Sequence, residues 1–170
     1  MLATPFIAML LFVSPQTPAP STGLSIEDQT FVAKAAKDGQ AEVELATLAQ
    51  KKATSEPART LASQLRTDHE RANAELMEIA RRKGINVDPS STSAQQQVAS
   101  KLANLSGADF DRAYIGEMVQ AHQRAVQLFE DVSHTADDPD LKAFAAKVLP
   151  TLRHHLEMAQ QAHGSPSGSQ

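Results

Sequence analysis

The chain has no cysteine, no tryptophan and a single tyrosine. Without cysteine there is no disulfide, no thiolate metal site, no cysteine nucleophile and no lipid attached through sulfur. Aromatics make up only 4% of the residues, and β-branched residues are sparse, which weighs against a sheet. Basic and acidic residues number 16 and 20 and are interleaved along the chain. No run of Lys or Arg offers a face for phosphates, so no nucleic acid is expected as a partner. No long apolar run exists either. The longest near the start, Phe6 to Val13 (FIAMLLFV), falls far short of the ~20 residues that span a bilayer as a helix. No transmembrane helix is therefore expected in the mature chain. A Gly-rich phosphate loop and a CxxCH haem attachment are also missing, and no spacing marks a Ser-His-Asp set.

The apolar run instead reads as the core of an export signal. A polar, Pro-rich stretch follows, and Ala19-Pro20-Ser21 places small residues where a signal peptidase reads, so cleavage is expected after Ser21. No Lys or Arg precedes the run, which departs from the usual signal pattern. Residues 1–21 are thus read as a signal peptide, residues 22–164 as the folded domain and residues 165–170 as a disordered tail. The expected location is the periplasm or cell envelope, where an envelope partner can be accommodated.

Ala and Leu, with Glu, Gln, Lys and Arg between them, make a helix-forming composition. Four long helices are legible from their punctuation. Ser25 caps the first, with Glu27 and Asp28 in its first turn, and its apolar stripe runs through Phe31, Ala35, Leu45 and Ala49. Ser55-Glu56-Pro57 starts the second, striped by Leu61, Leu65, Leu76 and Ile79 and ended by Gly84. The third opens at Gly107-Ala108-Asp109 and is striped by Phe110, Tyr114, Met118, Phe129 and Val132. Asp138-Pro139 precedes the fourth, striped by Leu141, Phe144, Leu152 and Ala159, with a kink expected at Pro150. Between the second and third, a short helix is expected within 94–105. The fold class is therefore all-α: two long hairpins joined by a long connection, which fits a ferritin-like four-helix bundle. Simple up-down-up-down wiring is the alternative.

Each stripe carries one ionisable residue: Glu42, His69, His122 and His155. The midpoint of Glu42 and His69 falls on the Ser55-Glu56 turn, and that of His122 and His155 on Asp138-Pro139, so each pair lies at one level of its hairpin. All four sit near mid-helix and are expected to share one layer. His154, about 100° round the helix from His155, is expected in solvent, and His134 and His163 near helix ends. Buried unpaired charges cost several kcal/mol, so these groups must satisfy one another, hold water or bind a cation. One carboxylate with three imidazoles is a ligand set for one divalent transition metal such as Zn, Fe or Cu. Asp68 precedes His69 and is a ligand or outer partner, though about 100° off the stripe. Asn73 and Tyr114 can donate hydrogen bonds into the layer. Met118, one turn before His122, and Met158, just beyond His155, share a level with each other and with the two histidines offer a soft Cu(I) site, or fill gaps in an Ala-rich core. Because only one carboxylate lies squarely on the stripes, the residues alone slightly favour a polar network over a metal.

The order of these residues resembles the export-signal-bearing bacterial proteins of domain-of-unknown-function family 4142, whose members are labelled outer-membrane or periplasmic. The resemblance covers about residues 24–163. It rests on Asp28-x-x-Phe31, Glu42 with Leu45 and Ala49, Asp68-His69 with Asn73 and Leu76, Phe110-Asp111-x-x-Tyr114, His122, and Leu149-Pro150 to His155. It implies a ferritin-like bundle and an envelope location, and no activity. Di-iron members of the ferritin-like class use Glu-x-x-His pairs. Here Arg66, Val119 and Leu152 stand three before the histidines, so a di-iron centre is not expected. Two functions follow. One is a non-enzymatic envelope bundle with a stress-related role, whose layer is structural or binds one metal. The other is a ferritin-like, metal-dependent redox enzyme. The first is favoured, with no catalytic residue assigned.

Overall fold

The computed structural model describes residues 23–164. The export signal read at residues 1–21 and the tail at 165–170 lie outside the described residues. Among the described residues there are five helices and no strand: α1 Ile26–Lys52, α2 Glu56–Arg82, α3 Ser93–Ala103, α4 Gly107–Thr135 and α5 Pro139–Gly164. Four are the long helices of the sequence reading, and α3 is the short one in their connection.

Local chemistry sets the ends. The Ser25 hydroxyl accepts from the Asp28 N–H at 3.1 Å, satisfying a donor the helix leaves unpaired. Ser55 does the same for Ala58. Thr92 and Gln95 form a reciprocal capping box on α3. Past α2, Gly84 adopts φ +71°, and the Ile85 N–H bonds back to the Ala80 carbonyl at 2.9 Å, a left-handed stop that glycine takes without a Cβ clash. Helix α5 runs unbroken through Pro150, which is exposed.

α1 packs along α2, and α4 along α5. The core divides into two apolar clusters. One gathers Phe31 and Val32 of α1, Leu76 and Ile79 of α2, Phe129 of α4, and Leu141 and Phe144 of α5. The other gathers Leu45 and Ala49, Leu61 and Leu65, Phe110 and Met118, and Ala159 of the same four helices. The order of the clusters along each helix gives its direction. α1 and α5 run from the first cluster to the second, whereas α2 and α4 run the opposite way. The segment from α2 to α4 must therefore cross from one end of the bundle to the other, and α3 lies in it, against α1 and α4.

Two buried aspartates tie each hairpin to the turn of the other. Asp28 at the start of α1 accepts from the Asp138 N–H, 2.9 Å, in the α4–α5 turn. Asp111 at the start of α4 accepts from the N–H groups of Thr54 and Ser55 and from the Thr54 hydroxyl in the α1–α2 turn. No helix among the described residues is long and apolar enough to cross a membrane.

Candidate metal centre

The boundary between the apolar clusters falls at the same place on all four long helices: after Ala36 and before Leu45 on α1, between Leu65 and Leu76 on α2, between Met118 and Phe129 on α4, and between Leu152 and Ala159 on α5. Glu42, His69, His122 and His155 occupy those gaps, and all are buried. The structure brings their side chains together. His122 Nε2 lies 3.4 Å from His69 Nε2 and 3.3 Å from His155 Nδ1. One nitrogen from each of the three rings lies within 4.8 Å of the other two. Glu42 Oε2 is 2.8 Å from His69 Nε2 and 3.5 Å from His122 Nε2. These are ion-pair distances, yet no donor is aligned on the oxygen, which is left buried without a hydrogen bond. His154 is exposed, as are His134 and His163.

The outer contacts fix the ring tautomers. His122 Nδ1 is 3.0 Å from the Met118 carbonyl. A carbonyl only accepts, so Nδ1 carries the proton. His155 Nε2 is 2.9 Å from Asp68 Oδ2, again an acceptor. Burial pushes the Asp68 carboxyl up, but bonds from Gln64 and His155 and the nearby Arg71 outweigh it and keep it below its ordinary value, hence ionised. In neutral rings the inner nitrogens, His122 Nε2 and His155 Nδ1, are then bare.

Both rings are held neutral. Burial pushes His155 down to about 4, against the pull of Asp68. Burial also lowers His122, with His69 adding to it and Glu42 opposing. His69 goes the other way: burial lowers it, but the Glu42 carboxylate beside it wins and raises it. Burial pushes Glu42 up, and the surrounding imidazoles reverse this and hold it at about 2. The stable charge assignment without a cation is thus a His69–Glu42 ion pair beside two neutral rings whose lone pairs meet.

The spacing suits a cation. Four donors around an ion at 2.0–2.1 Å stand about 3.3–3.4 Å apart if tetrahedral, the separation of His122 Nε2 from His69 Nε2 and from His155 Nδ1, while Glu42 Oε2 sits closer, 2.8 Å from His69 Nε2. The ring–carboxylate–metal arrangement also needs an outer acceptor on each ring, which Met118 O and Asp68 provide for two of the three.

Asp68, off the apolar stripe, turns inward and is a hydrogen-bond partner of His155. Asn73 lies over Gly39, where a Cβ would come within 2.1 Å of its Oδ1. The Tyr114 hydroxyl is buried without a partner. Burial raises its pKa and the charge on Glu42 raises it further. Met118 is buried in the second apolar cluster and Met158 packs against it half-buried. Asp28 and Asp111, in the sequence a first-turn acid and a motif position with no assigned role, are both buried. The Asp-x-x-aromatic spacing that opens both hairpins, Asp28 to Phe31 and Asp111 to Tyr114, was the available signal.

Several solved structures share the fold. A DUF305 fragment from Deinococcus radiodurans superposes with a TM-score of 0.74, covering 84% of this chain and 98% of its own at 15% identity. CopM in the Cu(II)-bound form gives 0.69, covering 80% and 95% at 20% identity. CopM in the Cu(I)-bound form gives 0.66, covering 79% and 93% at 21% identity. At such identities the likeness is one of fold alone. No protein of curated function matches the sequence. The sequence model described as Domain of unknown function (DUF4142) matches residues 13–162, and the chain belongs to that family.

Proposed function

We propose that this chain is an exported, ferritin-like bundle that binds one divalent transition metal through Glu42, His69, His122 and His155, with Asp68 orienting His155 from outside. The observation that carries the reading is the pair of bare nitrogens, His122 Nε2 and His155 Nδ1, facing each other at 3.3 Å beside a buried carboxylate oxygen with no aligned donor. A proton on His69 given to Glu42 leaves the His122 and His155 lone pairs facing each other; given to His122, it leaves Glu42 Oε2 and His155 Nδ1 without a donor. One cation answers all four donors. Three imidazoles and a carboxylate favour the copper and zinc end of the divalent series. The structural likeness to CopM, which is known in Cu(II)-bound and Cu(I)-bound forms, supports copper.

Export rests on the apolar run Phe6 to Val13 and the small residues around Pro20. Mature protein from the periplasm is expected to begin near Thr22, and an intact N-terminus on cytoplasmic protein overturns this part.

The deciding measurement is metal content. Protein purified without a His-tag, loaded with copper or zinc and desalted, is expected to hold one ion per chain. The ion should be lost in His122→Ala and in His155→Ala. Metal-free wild type after loading means that the layer is a hydrogen-bonded network only.

A second reading, a metal-dependent redox enzyme, has one observation in its favour: a cavity that reaches three of the four donors.

A further inference from the structure

That cavity measures about 50 Å3 and lies among α1, α2, α4 and α5. Glu42, Asp68, His69 and His155 line it, and His122 does not. Three residues on the inward stripes, Ala72, Ala125 and Val148, are only half-buried, and all three border this space. The deeper walls are apolar, including Leu76, Phe144 and Leu152, with the Asn73 amide among them. Gly39 lets that amide lie close over α1, since any side chain there would strike it. The exposed side chains of Lys34 and Arg124, with Asp38, mark the mouth.

We infer that the cavity holds a small anion of two or three heavy atoms, which binds the metal on the side bounded by Glu42, His69 and His155, away from His122. The inference rests on the metal reading above. Size supports it: a water needs about 10–15 Å3, so the space of about 50 Å3 takes roughly three to five water-sized groups. The apolar walls discriminate against larger polar molecules. Charge supports it as well. A divalent ion with Glu42, Asp68 and the Arg71 paired to Asp68 leaves one positive charge for an anion to balance. At the mouth Lys34 pairs with Asp38 and Arg124 with Glu117, so the rim adds no net charge. Four-coordinate zinc-like sites also expand to a fifth ligand when one side is open.

The test uses the full chain loaded with Co(II), whose visible absorption reports coordination number, titrated with azide. Saturable change of the cobalt bands with the metal retained is the expected result. Ala72→Leu adds bulk at the cavity wall and leaves all four donors in the sequence, and is expected to weaken azide binding at least about tenfold while cobalt affinity stays near wild type. Cobalt bands unmoved by azide in the wild type overturn the inference but leave the metal reading standing. The same holds for azide that strips the metal, or that binds Ala72→Leu as well as wild type. Failure of the wild type to bind cobalt, copper or zinc at all removes the metal reading, and this one with it.

Discussion

His122 Nε2 and His155 Nδ1 stand 3.3 Å apart, and the acceptors behind them, the Met118 carbonyl and Asp68, draw the ring protons to the far sides. Lone pair meets lone pair in a buried layer. Polar groups buried without partners cost about 1–3 kcal/mol each, so the contact stores a driving force for whatever cation can enter. The two outer hydrogen bonds select the tautomers and thereby turn both inner lone pairs into the layer.

Bound metal should therefore stabilise the fold by mass action. At a free concentration 100 times the dissociation constant the gain is about 2.7 kcal/mol, or roughly 5–15 °C in melting temperature for a domain of this size. Calorimetry with and without chelator measures it. His122→Ala should melt at one temperature in both conditions. A wild type indifferent to chelator would identify the layer as a closed network.

Asp68 acts through His155 and does not itself face the inner nitrogens. Asp68→Asn keeps the shape and removes the charge that polarises the ring. Outer partners of metal-bound histidines contribute about 10–100-fold in affinity, and a loss of that size is expected by competition against a chelator of known strength. Stoichiometry should remain one ion per chain. Unchanged affinity would mean that the Asp68 contact only packs the two helices.

How much of this was legible beforehand can be traced residue by residue. The 3.6-residue stripes located Glu42, His69, His122 and His155, because a buried ionisable group interrupts an apolar row at a countable position. Asp68 falls off the stripe by angle, since angular position on an ideal helix ignores the reach of a side chain toward a neighbouring helix. Its partner, His155, is 87 residues away in the sequence, so no local pattern announces the pair. The tautomers needed the Met118 and Asp68 distances. Capping residues fixed the helix ends closely, for Ser25, Ser55 and Gly84 act through contacts within five residues of themselves. The crossing of the connection from one end of the bundle to the other depends on how the two hairpins dock, and each hairpin's own pattern is silent on that.

Acid should weaken the chelated protein in a defined window. His155 takes up its proton near pH 6.5 when unfolded but only at about 4 when folded. Between those values the unfolded chain binds more protons, so stability falls as pH falls. The full effect is on the order of 3 kcal/mol, and the lowered His122 adds to it in the same direction. The His69–Glu42 pair opposes this, because the raised His69 contributes stability below the unfolded histidine pKa and loses it at higher pH. Glu42, held at about 2, gives up its share only below the ordinary carboxylate range. Urea unfolding at pH 7, 5.5 and 4.5 should show the decline, and His155→Gln should flatten it. Stability that holds or rises on acidification would show that the ion pair dominates the layer.

The last prediction separates the fold from the site. Asp111 sits at the opposite end of α4 from the α4–α5 turn, and its carboxylate gathers the Thr54 N–H at 3.0 Å, the Thr54 hydroxyl at 2.7 Å and the Ser55 N–H at 2.7 Å. Those bonds hold its pKa below the ordinary value against the opposing pull of burial, so the charged form is the one that accepts them. Hydrogen bonds to a charged group are stronger than neutral ones, and truncation leaves two backbone donors at the α1–α2 turn without this acceptor. Asp111→Ala should cost roughly 2–3 kcal/mol, read from denaturant midpoints at constant slope. Asp111→Asn should recover part of that, since its amide oxygen still accepts. Metal affinity should stay within about threefold of wild type in both variants, because the donors lie a full apolar cluster away and distant sites add independently. A large affinity loss in Asp111→Asn would instead show that the α1–α2 turn sets the position of Glu42 and His69 in the layer.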